Sequence, residues 1–373
     1  MSEKQTGLTQ CLVQLPRQDL IKMIRFVRTV YHLSQLPAYQ KQVETELPTI
    51  ACFNPEHGAV MMGYDFHLTD QGGPQLIEIN TNAGGGMLAF RANYPEVSEN
   101  EGPSKKMQDT LIQMFAQEIR QFSQGSQEKP SQIAIVDDKP ESQFFFHEMK
   151  TFARMFENWG LPTAIVDPSE LMIENNRLNL RGTPVDMIYN RHCDFYLENP
   201  IMDSIKSAYL ARTVCLTPNP RTYGLLGDKR RMVLLSNSES LLQLGLDKAT
   251  TDFITSVVPE SFMLSQLDSE KIWSQRRQWV FKPVNKYGSR GVIMGSSLRQ
   301  NRFSSLPPDE TLVQRLIKPS LTHCENNEKP LKTDIRLFAY RDKILGIGVR
   351  VYRGQVTNFQ EPGSGYAAVR LKT

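Results

Sequence analysis

Apolar residues recur at helical spacing from Arg17 to Tyr31, at Leu20, Ile21, Ile24, Val27 and Val30, and predict an amphipathic helix. The same spacing through Met107, Leu111, Phe115, Ile119 and Phe122 predicts a helix within Pro103 to Phe122. Between them, Gln40 to Pro55 is less regular. Two strand-like runs follow, Val60 to Leu68 and Leu76 to Asn80, separated by Asp70-Gln-Gly-Gly-Pro74. That interval is turn chemistry, so the two runs predict a hairpin.

Gln121 to Pro130 is polar and rich in helix breakers, the pattern of a linker. After it, Gln132 to Asp137 and Thr163 to Asp167 read as buried strands. Ser142 to Trp159, stopped by Gly160, reads as the helix joining them, which implies a parallel sheet. Val185 to Arg191 adds a strand with a polar end, the edge at which open α/β sheets bind ligands. Beyond Pro220, Leu225 to Leu235 predicts a helix start bearing basic residues. Gln278 to Met294 reads as strand, glycine-containing loop, strand, and Thr311 to Ile317 as another strand. Asp334 to Tyr340 and Ile344 to Val351 form a hairpin turning at Arg341-Asp342, followed by Asn358 and Gly363 to Ala368.

A chain of 373 residues exceeds one simple core and implies two or three domains. Forty-three basic against 40 acidic side chains give a net charge of +3, too small a surplus to imply nucleic acid. Met1 to Gly7 lacks the apolar core of a signal peptide, and no apolar run is long enough to span a bilayer, so the expectation is a cytoplasmic protein without a membrane partner. Cys11, Cys52, Cys193, Cys215 and Cys324 are odd in number and widely scattered, which favours buried thiols over a disulfide framework or structural zinc.

Strand alternation puts Glu78 and Asn80 on one face, and the hairpin can bring Asp65 to them. Two carboxylates and an amide oxygen suit a hard cation such as Mg²⁺, although a solvated hairpin edge would read the same from this stretch alone. Lys282 ends an apolar strand before a loop with Gly288, Ser289, Arg290 and Gly291. Glycine amides with a nearby ammonium can cradle phosphate, and Lys229 at a helix mouth could add a second charge. Either lysine alone reads equally as a solvated surface charge. The sequence lacks the P-loop, the dinucleotide fingerprint and the kinase His-Arg-Asp. His192-Cys193-Asp194 cannot form a triad among themselves, because adjacent residues point apart.

Taken in order, Asp65, Glu78-Ile-Asn80, Asp228-Lys229, Lys282-Pro283 with its loop, Leu312 to Ile317, Asp334-Ile-Arg336 and Arg350 resemble the ATP-grasp superfamily. The metal strand comes first rather than last, as in the circularly permuted ATP-grasp fold of eukaryotic-type glutathione synthetases, with glutathionylspermidine synthetases more distant. The resemblance implies an α/β (α+β) chain with a parallel-sheet substrate domain. Its expected divisions are a helical segment at 1–56, the metal-binding part of the ATP-grasp C-subdomain at 57–125 and the substrate domain at 126–221. An N-subdomain at 222–318 and the rest of the C-subdomain at 319–373 complete it.

For the site, the resemblance implies ATP and Mg²⁺. Lys229, Lys282, Gly288, Ser289, Arg290 and Gly291 would lie on the phosphates, and Gln314, Leu316 and Ile317 at the adenine, with Arg336 as a further polar contact. Asp65, Glu78 and Asn80 would hold magnesium. Arg350 and Lys282 would be catalytic, while Arg191, Asn82, Gly84, Gly85 and Asn358 would contact substrate.

Two departures stand out: Lys286 occupies the place of a magnesium-binding glutamate, and Asn82-Ala-Gly-Gly-Gly86 lacks the serines used on the peptide substrate. The expected activity is an ATP-dependent carboxylate–amine ligase acting on small acids and amines of the amino acid, peptide or polyamine type, with a homodimer left open. A small-molecule kinase and a non-catalytic nucleotide-binding module are the alternatives.

Overall fold

The computed structural model describes residues 7–69, 73–97, 102–286, 288, 290–325, 328–355, 359, 361 and 363–372. Strands from both ends of the chain make its largest sheet. Leu8–Pro16 pairs in parallel with Gly365–Lys372, and the order continues through Lys343–Tyr352, Leu331–Tyr340, Met62–Leu68 and Pro74–Asn80, all antiparallel. Ser320–Thr322 pairs off this path with Leu331–Tyr340.

The central strand is buried on both faces and separates two cores. Ile335, Leu337 and Ala339 point into one, beneath the helix Arg17–Ser34; Phe338 and Tyr340 point into the other, with helices Lys105–Phe122 and Phe146–Asn158. Asp334 and Arg336 share the face of Phe338 and Tyr340, so the same alternation that builds the second core delivers two charges to the cleft at its end. Neighbouring strands repeat the device. Tyr64 and Phe66 are core while Asp65 is not, and Val349 and Val351 are core while Arg350 is not.

A second sheet is parallel, ordered Cys215–Thr217, Met187–Asn190, Ile133–Val136, Thr163–Val166. A third is antiparallel, ordered Ser261–Met263, Thr311–Arg315, Trp279–Pro283, Ile293–Met294, and places Val280 opposite Gln314. The three sheets surround one cleft.

Two expectations are corrected. The segment 1–56 is not wholly helical: its strand Leu8–Pro16 pairs with the C-terminal strand because Leu12 to Pro16 run in register with Ala368 to Lys372. That pairing brings Cys11 to Cys324, which form a disulfide across 5.1 Å between Cα atoms instead of remaining thiols. Sequence spacing hid it because 313 residues separate the pair. Disulfides persist in oxidising compartments, which weighs against the cytoplasmic expectation. Among the described residues no helix is long and apolar enough to cross a membrane.

Glu118, on helix Lys105–Phe122, ties the second core to the large sheet. Its buried carboxylate accepts from the Gly58 amide at 2.5 Å, Tyr340 Oη at 2.6 Å and Arg341 Nη2 at 2.8 Å, with His57 Nδ1 at 3.2 Å. Burial opposes the charge, but the hydrogen bond and charge of His57, with those of Arg341 and Tyr340, hold the pKa at about 2. The stabilisation is therefore fully present above its ordinary 4.5 and lost as pH falls toward 2. Glu118→Gln leaves the Arg341 charge uncompensated and is expected to cost about 3 kcal/mol in urea unfolding. A loss below about 1 kcal/mol would remove Glu118 from this role.

Candidate functional site

The hairpin that opens the site carries a β-bulge. Gly63, Tyr64 and Asp65 pair with Asn80, Ile79 and Glu78, but Phe66 pairs with Leu76, leaving Ile77 as the extra residue. The bulge changes the phase of the strand, so Leu76 joins Phe66 in the core while Glu78 faces the cleft beside Asp65. Lys282 Nζ donates to the carbonyl of this extra residue at 3.0 Å.

Asp65, 3% exposed, lies in an arginine clamp. Arg336 Nε and Nη2 donate to its two oxygens at 2.6 Å each, and Arg350 Nη2 donates at 2.9 Å. Burial alone would raise its pKa, yet the two guanidinium charges outweigh burial and lower it to about 2. Arg350 is further paired with Asp334 at 2.5 Å, and Arg336 also donates to the Gly84 carbonyl at 3.1 Å. The clamp revises two expectations. The Asp65 carboxylate is spent on arginine rather than free for a cation, and Arg336 is occupied in holding it.

The Asn80 amide Nδ2 sits between the carboxylates, 3.2 Å from Glu78 Oε1 and 3.4 Å from Asp65 Oδ2. Among the described residues Glu78 has no ion pair. Lys282, 6% exposed, donates to Gln314 Oε1 at 2.6 Å as well as to Ile77. Its burial first, and the Lys229 charge, lower its pKa to about 8 against the pull of Glu78. Lys229 Nζ donates to the Lys286 carbonyl.

All of these line a cleft of about 1610 Å³, larger than the pocket of a single drug-sized ligand. Gly288, Arg290, Leu316 and Ile317 line it too, although the Ile317 carbonyl already accepts from His67 Nδ1 at 3.0 Å and the Leu316 amide donates to the Gln278 carbonyl at 2.8 Å. Ser289 and Asn358 lie outside the described residues.

Most of the residues expected to contact substrate sit on a loop held by hydrogen bonds. Arg191 Nη1 donates to the carbonyls of Asn82 at 2.8 Å and Ala83 at 3.2 Å, so this arginine first fixes the loop rather than awaiting a carboxylate. Asn82 answers by donating to the Arg191 and His192 carbonyls at 3.3 Å. Glu148 accepts from the Gly85 amide at 3.1 Å and the Met87 amide at 2.9 Å, capping helix Gly86–Asn93.

Gly85 is corrected from substrate contact to packing contact. It does not line the cleft, has φ +91°, and a Cβ there would sit 1.9 Å from Tyr366 Oη. Gly84 does line it, and its Cβ would meet Phe145 at 2.6 Å. Gly291 is not among the lining residues, and a Cβ there would meet Pro283 at 3.0 Å and Lys286 at 3.3 Å, both of which are.

Comparison with known proteins rests on structure. No family model matches the chain, and no curated protein matches it in sequence. A glutathione synthetase-like effector from Globodera pallida in its apo form superposes with a TM-score of 0.61 at 10% identity, covering 98% of this chain and 90% of that one. A "Putative gamma-glutamylcysteine synthetase" from Methylobacillus flagellatus KT superposes with a TM-score of 0.51 at 10% identity, covering 95% and 84%. The fold is ATP-grasp-like.

Within that ATP-grasp-like frame, among the described residues no three His, Cys, Asp or Glu side chains are grouped to hold a metal. Glu78 and Asn80 are the expected ligands left outside the arginine clamp. A carboxylate with an amide oxygen would suit one Mg²⁺, which keeps several waters, once the Asn80 amide that turns its Nδ2 to Glu78 presents its oxygen instead. Sequence reasoning missed Glu148 and Tyr366, whose roles depend on long-range contacts. It also passed over Asp137, which the polar end of its own strand could have flagged.

Two glycines separate packing from backbone conformation. Gly85 and Gly288 both have positive φ, but nothing lies within 4 Å of a Cβ at Gly288. Gly288→Ala is expected to cost about 1 kcal/mol and Gly85→Ala more than about 3 kcal/mol, read by thermal unfolding. Equal losses would show that Tyr366 can move aside.

Proposed function

We propose that the protein is an ATP-dependent carboxylate–amine ligase that forms an amide through an acyl phosphate, using ATP and Mg²⁺. One observation carries this reading: Glu78, Asn80, Lys229, Lys282 and Arg350 line the same cleft as the carboxyl edge of the parallel sheet. Superposition on a synthetase-like effector agrees with it.

A carboxylate is a poor electrophile at neutral pH, so amide formation needs activation, and phosphoryl transfer requires positioning and charge neutralisation more than a protein nucleophile. Lys282 and Lys229 would hold phosphate oxygens. Arg350, fixed by Asp334 and Asp65, would present a guanidinium to the transferring group without swinging. Glu78 and Asn80 would hold Mg²⁺, whose chemistry there would be charge neutralisation at the phosphates. Cys193 does not enter the chemistry, because burial and then the Asp137 charge push its thiol up to about 11.

The acid and amine are small molecules of the amino acid, peptide or polyamine type. ADP release screened over such compounds in pairs is expected to require both an acid and an amine. Glu78→Ala should lower it at least about a hundredfold. ADP release with an alcohol acceptor alone would make the protein a small-molecule kinase. ATP binding with no turnover under any pair would make it a nucleotide-binding module, for which Lys286 in the place of an acidic ligand gives the motive.

A further inference from the structure

The parallel sheet changes winding direction at its centre. Ile133–Val136 connects onward to Thr163–Val166 on one side, and Met187–Asn190 lies on the other. The crevice outside the carboxyl ends of those two central strands is the place where open α/β sheets take ligands. Asp137 follows the first strand and Arg191 the second; they sit side by side, since Val136 pairs with Asn190 and the Arg191 amide donates to the Val136 carbonyl at 2.8 Å.

Their circumstances differ. Arg191 is committed to the carbonyls of Asn82 and Ala83. Asp137 is 9% exposed and lines the cleft, yet among the described residues it accepts only one hydrogen bond, from the Asp138 amide to Oδ1 at 2.9 Å, and makes no ion pair. Its other oxygen is not among the sealed, partnerless atoms of the described residues, and since Asp137 lines the cleft a cationic ligand there would pair with it. Through Arg191 it is joined to the Asn82 end of the strand that bears Glu78 and Asn80, so it belongs to the same cleft as the proposed phosphate site.

We infer that Asp137 binds the ammonium group of the amine substrate and receives its proton, which makes it a catalytic residue of the ligation step. This assignment rests on the ligase reading above. One ammonium N–H bond breaks, its proton passing to Asp137 Oδ2 and its electron pair remaining on nitrogen. That pair forms the new C–N bond at the acyl phosphate carbon. The C–O bond to phosphate then breaks with its electrons on the phosphate, which takes the second nitrogen proton and leaves as inorganic phosphate.

The groups facing Asp137 suit this task. Burial raises its pKa to about 6, the Arg191 charge limits the rise, and the Asp138 amide hydrogen bond lowers it more than the Asp138 charge raises it. Cys193 is close enough to feel its charge but stays a neutral thiol, and the Arg290 charge acts on Cys193 in the opposite sense. A base of that strength is unprotonated at neutral pH and near the value at which proton transfer is most effective.

Hydroxylamine separates the steps, because its nitrogen is already unprotonated at neutral pH and traps an acyl phosphate without a base. The test takes the acid–amine pair with the highest ADP release and compares the unaltered protein with Asp137→Asn, once with the amine and once with hydroxylamine. The expected result is hydroxamate formation within about twofold in both proteins and a loss of about 10²–10³ in amine ligation by the variant. The decline of amine ligation below about pH 6 should disappear with Asp137, following from its raised pKa.

Ligation within about threefold of the unaltered protein would overturn the assignment. So would equal loss with amine and hydroxylamine, which would place Asp137 in the fold or the phosphoryl step. If the unaltered protein makes no hydroxamate with any acid, the ligase reading itself fails, and the role of Asp137 fails with it.

Discussion

Asp65 and its two arginines are the constraint on which the cleft depends. The carboxylate comes from residue 65, while Arg336 and Arg350 come from strands near the other end of the chain, so the three charges meet only when the hairpin Met62–Leu68 and Pro74–Asn80 pairs with Leu331–Tyr340. Burying one of them unpaired would cost several kcal/mol, roughly the whole stability of a typical domain. The ion cluster thus couples sheet closure to site assembly: once the strands pair, each of these charges is desolvated and is compensated only by the others.

The cleft that results carries charges of both signs: Lys229, Lys282 and Arg290 line it, and so do Glu78, Asp137, Asp138 and Asp194. A reaction between an anionic electrophile and a cationic nucleophile needs both kinds of group close together. Arg191 and Glu148 brace the loop after Asn80 by bonding its backbone, which fixes that part of the lining.

Much of this was legible beforehand, for reasons of periodicity. Alternation put Glu78 and Asn80 on one face, helical spacing located the helices Arg17–Ser34 and Lys105–Phe122, and the strand ending at Arg191 was read as a ligand edge. What escaped depended on distant partners. The bulge at Ile77 is invisible without Phe66 and Leu76 paired across the hairpin. Asp65 read as a cation ligand because nothing local says that two arginines reach it. The strand Leu8–Pro16 and the Cys11–Cys324 disulfide depend on the C-terminal strand, and Gly85 takes its meaning from Tyr366. Local pattern identifies which residues are unusual; only packing shows which of them are already satisfied.

Lys282 offers the most direct test that this cleft takes a polyphosphate. Its burial holds its pKa at about 8, below the ordinary 10.5, so near pH 8 about half of the molecules carry it uncharged. A polyphosphate placed beside the ammonium would raise that value again. Calorimetric titration of ATP with Mg²⁺ at pH 8, in buffers of different ionisation enthalpy, is therefore predicted to show uptake of roughly half a proton, vanishing by about pH 6 and absent in Lys282→Met. Binding of ATP with no proton uptake, or uptake unchanged in Lys282→Met, would contradict the account.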